Sequence, residues 1–411
     1  MGNTNRKQNI LIWRGSAALL AWLLVSVGSV AASTLLDGVP LEVEGYAKAP
    51  PGLSEQAAWP YDFPADHLAH DAYRSELWQI FLYLQNEAGQ SYGLTGRIAR
   101  IALAPPLSAS AMTTNSPWAF SGIYLSAHGL SKQHGSSAAE NEGDDPTFIH
   151  SRSLSRDAMS LAGFQENPSR LWVNHQNWRW RNLGRCTLEL DLDVTVEDLP
   201  LRLAVSTATC PELDDTNDLP SLWGYWQLIE SVKGSIGADR VVSGRGWLER
   251  AWGDLPLGQG PVVIDRFRIS GRAEHWSESS QVTIDVLRTR RRDGSGQPQI
   301  AATLWHNGEK IELPAAELSM RDRDVWKSSQ TGEQYFSGWE IRLPDPFNNA
   351  ATEPLQLRLD VHNPDQEMEL FGESRWSGLV NVAGAGNTVF SGFGFVELEP
   401  IGFDPASGAP R

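Results

Sequence analysis

The stretch "VVSGRGWLERAWGDLP", residues 241–256, sets Trp247, Glu249, Arg250 and Trp252 close behind two glycines. A shorter version, "FSGFGFVELEP", returns at 390–400. Upstream of each the match continues. Trp226, Val232, Gly234, Ser243, Gly244, Gly246, Trp247 and Glu249 fall in the same order as Trp376, Val382, Gly384, Ser391, Gly392, Gly394, Phe395 and Glu397. The spacing differs between the copies only by what a hairpin loop permits, so the simplest account is two related β-units that close with the same hairpin. The glycines of S-G-x-G allow a closing strand to bend and approach its neighbour, and the aromatic and the Glu, two residues apart, share one strand face. Since the element occurs twice, its first job is architectural. "RAWGD" after Glu249 against "LEPIG" after Glu397 is where chemistry could differ.

Outward from these hairpins, alternation of apolar and polar residues dominates, as in "SELWQIFLYLQ", "CTLELDLDVTV", "VTIDVLRTR" and "LQLRLDVHN", with Gly, Pro, Asn and Asp turns between. This predicts an all-β antiparallel architecture of two units, 33–257 and 258–403, with a boundary near "PLGQGPV" at 256–262. Only a short stretch at 151–163 has a helical period. The polar segment 131–146 is expected to be a surface insertion.

The first 32 residues carry Arg6, Lys7 and Arg14 ahead of an apolar run that ends in small residues at Val30, Ala31 and Ala32, the layout of a secretory signal. An uncleaved single-helix anchor is the other reading. Either expectation places the protein in the periplasm or outside the cell. Removing this segment takes three basic residues and no acid, so the charge would move from −16 to −19. So acidic a chain repels nucleic acid, and no nucleic-acid partner is expected.

Cys186 and Cys210 flank two alternating runs around "VEDLP", and a turn centred on Asp198 brings them face to face. A disulfide is expected in an exported protein, two buried thiols being the alternative. Asp66, His67 and His70 are spaced as metal ligands could be, but no further His or Cys cluster completes a site nearby, so neither a metal nor a cofactor is expected. The 17 Trp residues suit either packed barrel interiors or an aromatic cavity, for which Trp78, Trp226, Trp247, Trp252, Trp339 and Trp376 are the candidates.

The chain resembles the lipocalin-like AttH / carotenoid 1,2-hydratase superfamily. "PADHLAHDAYRSELWQIF" supplies Pro64, Asp66, His67, His70, Arg74, Glu76 and Trp78 of an opening pattern close to P-x-D-H-x-x-H-x-x-x-R-x-E-W-W-Y, departing at Leu77 and Gln79. "GRGWLERAWG" keeps Gly244, Trp247, Trp252 and Gly253 of a central G-x-A-W-M-D-H-E-W-G, with Glu249, Arg250 and Ala251 in place of its Asp, His and Glu. The closing "WSGLVNVAG" and "GFGFVELEPIG" match the family's ending, so the similarity spans about 42–403. The resemblance implies two tandem lipocalin-like barrels with a hydrophobic pocket at their ends or junction. It also implies export and, in many bacterial members, association with an ABC-transporter permease. Some members hydrate the terminal double bond of acyclic carotenoids.

Hydration of an isolated alkene needs a positioned acid, and a carboxyl group in an apolar cavity can stay protonated while aromatic faces stabilise the cation. Glu249, between Trp247 and Trp252, is the candidate acid, with Asp66, His67 and His70 as further acid/base groups. Alternation places Arg250 on the opposite strand face from Glu249. Arg74 and Glu76 share a face and are expected at the cavity, in a buried network with Glu230 or Asp66. The residues thus point to an exported protein that binds or transfers a hydrophobic or lipid-like molecule, the alternative being a hydratase-like enzyme acting on an unsaturated terpenoid or lipid.

Overall fold

The computed structural model describes residues 61–103, 118–133, 147–213, 222–253, 261–273, 281–346, 354–361, 363–370 and 373–402, all within one compact unit. The expected signal at 1–32 and most of the 131–146 insertion and the 256–262 junction lie outside the described residues.

The first sheet holds β1 (Ser75–Asn86), β2 (Ser91–Ala102), β3 (Gly122–Lys132), β4 (Thr147–Arg156), β5 (Ala162–Glu166) and β6 (Ser169–Val173). It continues with β7 (Gln176–Leu183), β8 (Leu188–Val196), β9 (Leu199–Thr207), β10 (Glu212–Leu213), β11 (Leu222–Ile236) and β12 (Arg240–Gly253). The second holds β13 (Val262–Ala273), β14 (Val282–Arg291), β15 (Gln299–His306), β16 (Glu309–Leu313) and β17 (Ser319–Lys327). Then come β18 (Gln334–Leu343), β19 (Leu355–Asp360), β20 (Glu367–Leu370), β21 (Glu373–Gly384) and β22 (Phe390–Leu398).

Strand order is β4-β3-β2-β1-β12-β11-β9-β8-β7-β6-β5 in one sheet and β16-β15-β14-β13-β22-β21-β19-β18-β17 in the other. Both begin with a reversed four-strand meander, and in both the first strand pairs with the last. The first sheet curls until β4 meets β5 and β6. The architecture is all-β, two tandem lipocalin-like barrels, each wrapped around its own apolar core.

The duplicated glycines do what the repeat suggested. Gly244 and Gly246 lie against the β1 backbone and Gly392 against β13, so close that a Cβ on Gly246 would meet the Phe81 carbonyl oxygen and one on Gly392 that of Ser270. The copies differ by one step of register. In β21–β22 the register runs unbroken from Val382↔Gly392 to Trp376↔Leu398. In β11–β12 a bulge between Ile229 and Val232 intervenes, so Trp226 stands opposite Glu249. A one-residue slip moves every following side chain to the other face of the sheet. Trp376 consequently packs inside the second barrel, whereas Trp226 points out of the first.

The outward faces of the two closing hairpins pack on each other. Phe81, Trp226, Trp247, Leu379, Phe393 and Phe395 form a third apolar cluster between the sheets. Two ion pairs flank it, buried Glu249 with Arg268 and half-buried Glu397 with Arg97, each carboxylate meeting a guanidinium of the other barrel.

Residues 151–163 depart from their expected helical period. They form the end of β4, one 3-10 turn at Ala158–Ser160 and the start of β5. Pairing with β3 and β6 overrides a weak local preference.

Cys186 and Cys210 are joined in a disulfide at the open end of the β8–β9 hairpin, whose turn is Glu197–Asp198. The Gln227 side-chain amide donates to the carbonyls of both Cys186 and Thr209, tying β11 to the same end.

Two outcomes are expected from chemical denaturation. Gly246→Ala and Gly392→Ala each lower stability by about 1–3 kcal/mol, the cost of overpacking a closed site. The double variant Cys186→Ser/Cys210→Ser loses about 3 kcal/mol through the longer free loop of its unfolded chain.

Candidate functional site

Alternation along β1 turns Glu76, Trp78, Ile80, Leu82 and Leu84 into the first barrel. The chain ahead of β1 folds across that end, and its short 3-10 turn at Ala65–His67 buries Asp66 and His67. His70 follows with each ring nitrogen facing a carboxylate, Nε2 at 2.9 Å from Asp66 Oδ1 and Nδ1 at 3.1 Å from Glu76 Oε1. The ring lies flat on Trp252, centroids 4.0 Å apart at 8°. The Asp66 carboxylate also accepts from the backbone N–H of Asp62 at 2.6 Å.

Glu76 is fully buried, and register places Arg100 of β2 directly opposite it. Arg100 Nε lies 3.5 Å from Glu76 Oε2, while its other nitrogens bind Asp71 and the carbonyls of His70 and Tyr73. Burial alone would raise the Glu76 pKa. The His70 hydrogen bond and the charges of Arg100 and Arg250 outweigh it and hold Glu76 below the usual carboxylate range. Glu76 is therefore an anion at neutral pH, a base or positioning group.

His67 makes a second pair. Its Nε2 lies 3.3 Å from the Gly184 carbonyl, which can only accept, so Nε2 carries the proton and Nδ1 accepts from the Tyr225 hydroxyl at 2.6 Å. Burial pulls the imidazole from 6.5 down to about 4, so it is neutral. Burial also raises the Tyr225 hydroxyl well above its ordinary value, keeping it protonated and able to donate its hydrogen bond to His67. Beside it sits Arg250, on the inward face of β12. Its guanidinium lies 4.0 Å from the Trp78 ring centroid and 5.8 Å from that of Trp252, and it donates to the carbonyls of Leu68 and Leu77. The cation–π faces and carbonyls offset the cost of burying this charge.

The candidate residues divide among four places. Asp66, His67, His70, Glu76, Trp78 and Trp252 gather at this end of the first barrel. Glu249 does not join them. It shares the outward face of β12 with Trp247, where it accepts from Gln79 Nε2 at 3.2 Å and pairs with Arg268. The expected flanking by Trp252 is overturned by the same alternation that sends Arg250 inward. Trp226 and Trp247 lie between the barrels, and Trp339 and Trp376 in the packed core of the second. Arg74 is half-buried before β1. Arg100 takes the place expected for Arg74 beside Glu76, and the exposed Glu230 instead binds Ala208 and Thr209.

Sequence reading missed Arg100 and Tyr225. Counting pairs back from the Asn86–Ser91 turn would have set Arg100 opposite Glu76, whereas Tyr225 depends on the bulge in β11.

The matching end of the second barrel is built differently. Register places Arg290 as the counterpart of Arg100. Buried Asp265 takes both Arg288 and Arg290, and Arg288 reaches on to Asp322. That knot pairs its charges internally and holds no imidazole.

His67 makes stability depend on pH. Its folded pKa lies below the unfolded one, so the unfolded chain binds more protons between pH 6.5 and about 4, and stability falls as pH drops through that window. That depression corresponds to roughly 3 kcal/mol. Thermal melts from pH 7 to 4 should show a shallower decline for His67→Gln than for the native chain.

The sequence profile of the AttH-like family matches residues 54–401. No curated protein sequence matches the chain. Among solved structures, an AttH protein of Nitrosomonas europaea aligns with a TM-score of 0.60 at 18% identity, over 85% of this chain and 99% of that one. Kievitone hydratase of Nectria haematococca aligns with a TM-score of 0.50 at 11% identity, over 87% and 98%. These likenesses show a shared fold, and the profile match over most of the length shows that the chain belongs to the AttH-like family.

Proposed function

We propose that the first barrel binds a hydrophobic small molecule, with the polar end of the guest beneath Asp66, His70, Glu76, Arg100 and Arg250, and that the protein holds or hands over this molecule outside the cytoplasm. The observation that carries the reading is the contrast between the barrels. At one end of the first, imidazoles, a phenol and a guanidinium adjoin an aromatic and aliphatic interior. At the same end of the second, Asp265, Arg288, Arg290 and Asp322 are ion-paired with one another. Ligand sites combine an apolar wall with a few convergent polar groups, which describes the first end and not the second. A transporter permease is the partner proposed to receive the guest.

The second reading is an enzyme that adds water to, or isomerises, an unsaturated substrate. The observation favouring it is that two imidazoles stand within hydrogen-bond reach of acid partners, His70 of Asp66 and Glu76, and His67 of Tyr225. Tyr225 would be the proton donor and Glu76, through His70, the base that takes a proton from water. Glu249, engaged by Arg268 on the far face of β12, stands outside this relay.

Native mass spectrometry of the purified protein is expected to show one apolar molecule per chain, released on denaturation. Repeated preparations without a guest, together with no binding of a fluorescent apolar probe, would overturn the first reading. For the second, incubation with acyclic terpenes should yield tertiary alcohols that disappear in Tyr225→Phe, and product formation indifferent to Tyr225→Phe and His70→Ala would overturn it.

A further inference from the structure

The buried polar atoms left without a partner inside the first barrel are mostly donors, with Glu76 Oε2 and Gln227 Oε1 the acceptors among them. Register sets Trp78 opposite Arg250 on one flank and Ile98 on the other, with Ser126 beyond, while His128 follows Ser126 one step deeper along β3. Across the barrel β7 carries Trp178 and Trp180 and runs up to Gly184, the partner of His67, so Trp180 lies nearer that end than Trp178. Trp178 Nε1 donates to His128 Nε2 at 3.4 Å. An indole can only donate, so Nε2 is the acceptor. Burial holds the ring neutral, with a pKa of about 3, and the single ring proton therefore sits on Nδ1.

His128 Nδ1 has no hydrogen-bond partner, and neither do Trp78 Nε1, Trp180 Nε1, Arg250 Nε or Ser126 Oγ. All five residues are nine-tenths or more buried. Four of these atoms are obligate N–H donors and the fifth can donate. A buried donor left without an acceptor is costly, and cores seldom collect several on one inward surface. Gly96 lies close against this group, since a Cβ there would press on His128, Trp178 and Ile80.

We infer that the molecule taken up by the first barrel carries an acceptor oxygen, a carbonyl or its equivalent, on its inner portion, and that Trp78, Ser126, His128, Trp180 and Arg250 are the donors that recognise it. The inference rests on the first barrel being a binding site, and names the chemical class of its guest. A pure hydrocarbon would fill the interior and leave every donor unmet. A ketone or enone of the same shape would meet several.

The test is quenching of intrinsic Trp fluorescence by matched chains, 2-decanone against 1-decene, with N-phenyl-1-naphthylamine as a general apolar probe. The ketone is expected to bind about tenfold or more tightly than the alkene, since a site built to hydrogen-bond an oxygen discriminates against the analogue lacking it. In His128→Phe and Trp180→Phe that ratio should fall to within about threefold. If His128→Phe does not fold, as judged by its melting transition, Ser126→Ala carries the comparison. Equal affinities of ketone and alkene for the native chain would overturn the inference while leaving the barrel a hydrophobic site. Failure of all three ligands to bind would overturn the binding reading itself.

Discussion

Glu249 reaches across to Arg268 and Glu397 reaches back to Arg97, so each barrel supplies the countercharge for a carboxylate that the other helps to bury. Removing one partner from such a pair strands an uncompensated charge, which costs about 3–5 kcal/mol. Separating the barrels would strand two charges from each and expose the aromatic cluster of Trp247, Phe393 and Phe395 besides. The outer faces of β12 and β22 are committed to this contact, which leaves only inner faces to meet a small molecule. Strand alternation then assigns roles within one short segment, with Trp247 and Glu249 to cohesion and Leu248 and Arg250 to the interior.

The two interiors diverge at the same end of a shared strand order. Each buries an arginine from its second strand, Arg100 or Arg290, and gives it a carboxylate. In the second barrel a further arginine and Asp322 extend the arrangement into a chain of ion pairs. In the first, His70 stands between two carboxylates, and Arg250 is held by ring faces and carbonyls rather than by a contacting acid. Charges that face one another hold an arrangement rigid, whereas a charge held only by ring faces and carbonyls can take a new partner from a guest.

Much of the fold could be read from residues. The matched S-G-x-G-aromatic-x-E segments identify the closing hairpins, and the spacing around "VEDLP" sets the turn between the two cysteines. Alternation also separates Arg250 from Glu249. It cannot say which of two faces turns inward, because both faces of β12 are apolar enough to be buried. Glu249 was therefore expected in the cavity on account of its Trp neighbours, although it lies between the sheets. The partner of Glu76 was sought nearby at Arg74. It comes from the adjacent strand, where only register identifies Arg100. His128 and Ser126 carried no motif at all, and their interest comes from the tautomer that Trp178 imposes and from what surrounds them.

The bulge in β11 also bears on how the halves of this chain should be compared. Trp226 and Trp376 correspond letter for letter, yet one indole serves cohesion and the other fills a core. Correspondence in a duplicated chain is thus a statement about descent of position, and compartment must be established separately for each copy. One step of register is enough to let two halves with nearly the same vocabulary take up different trades.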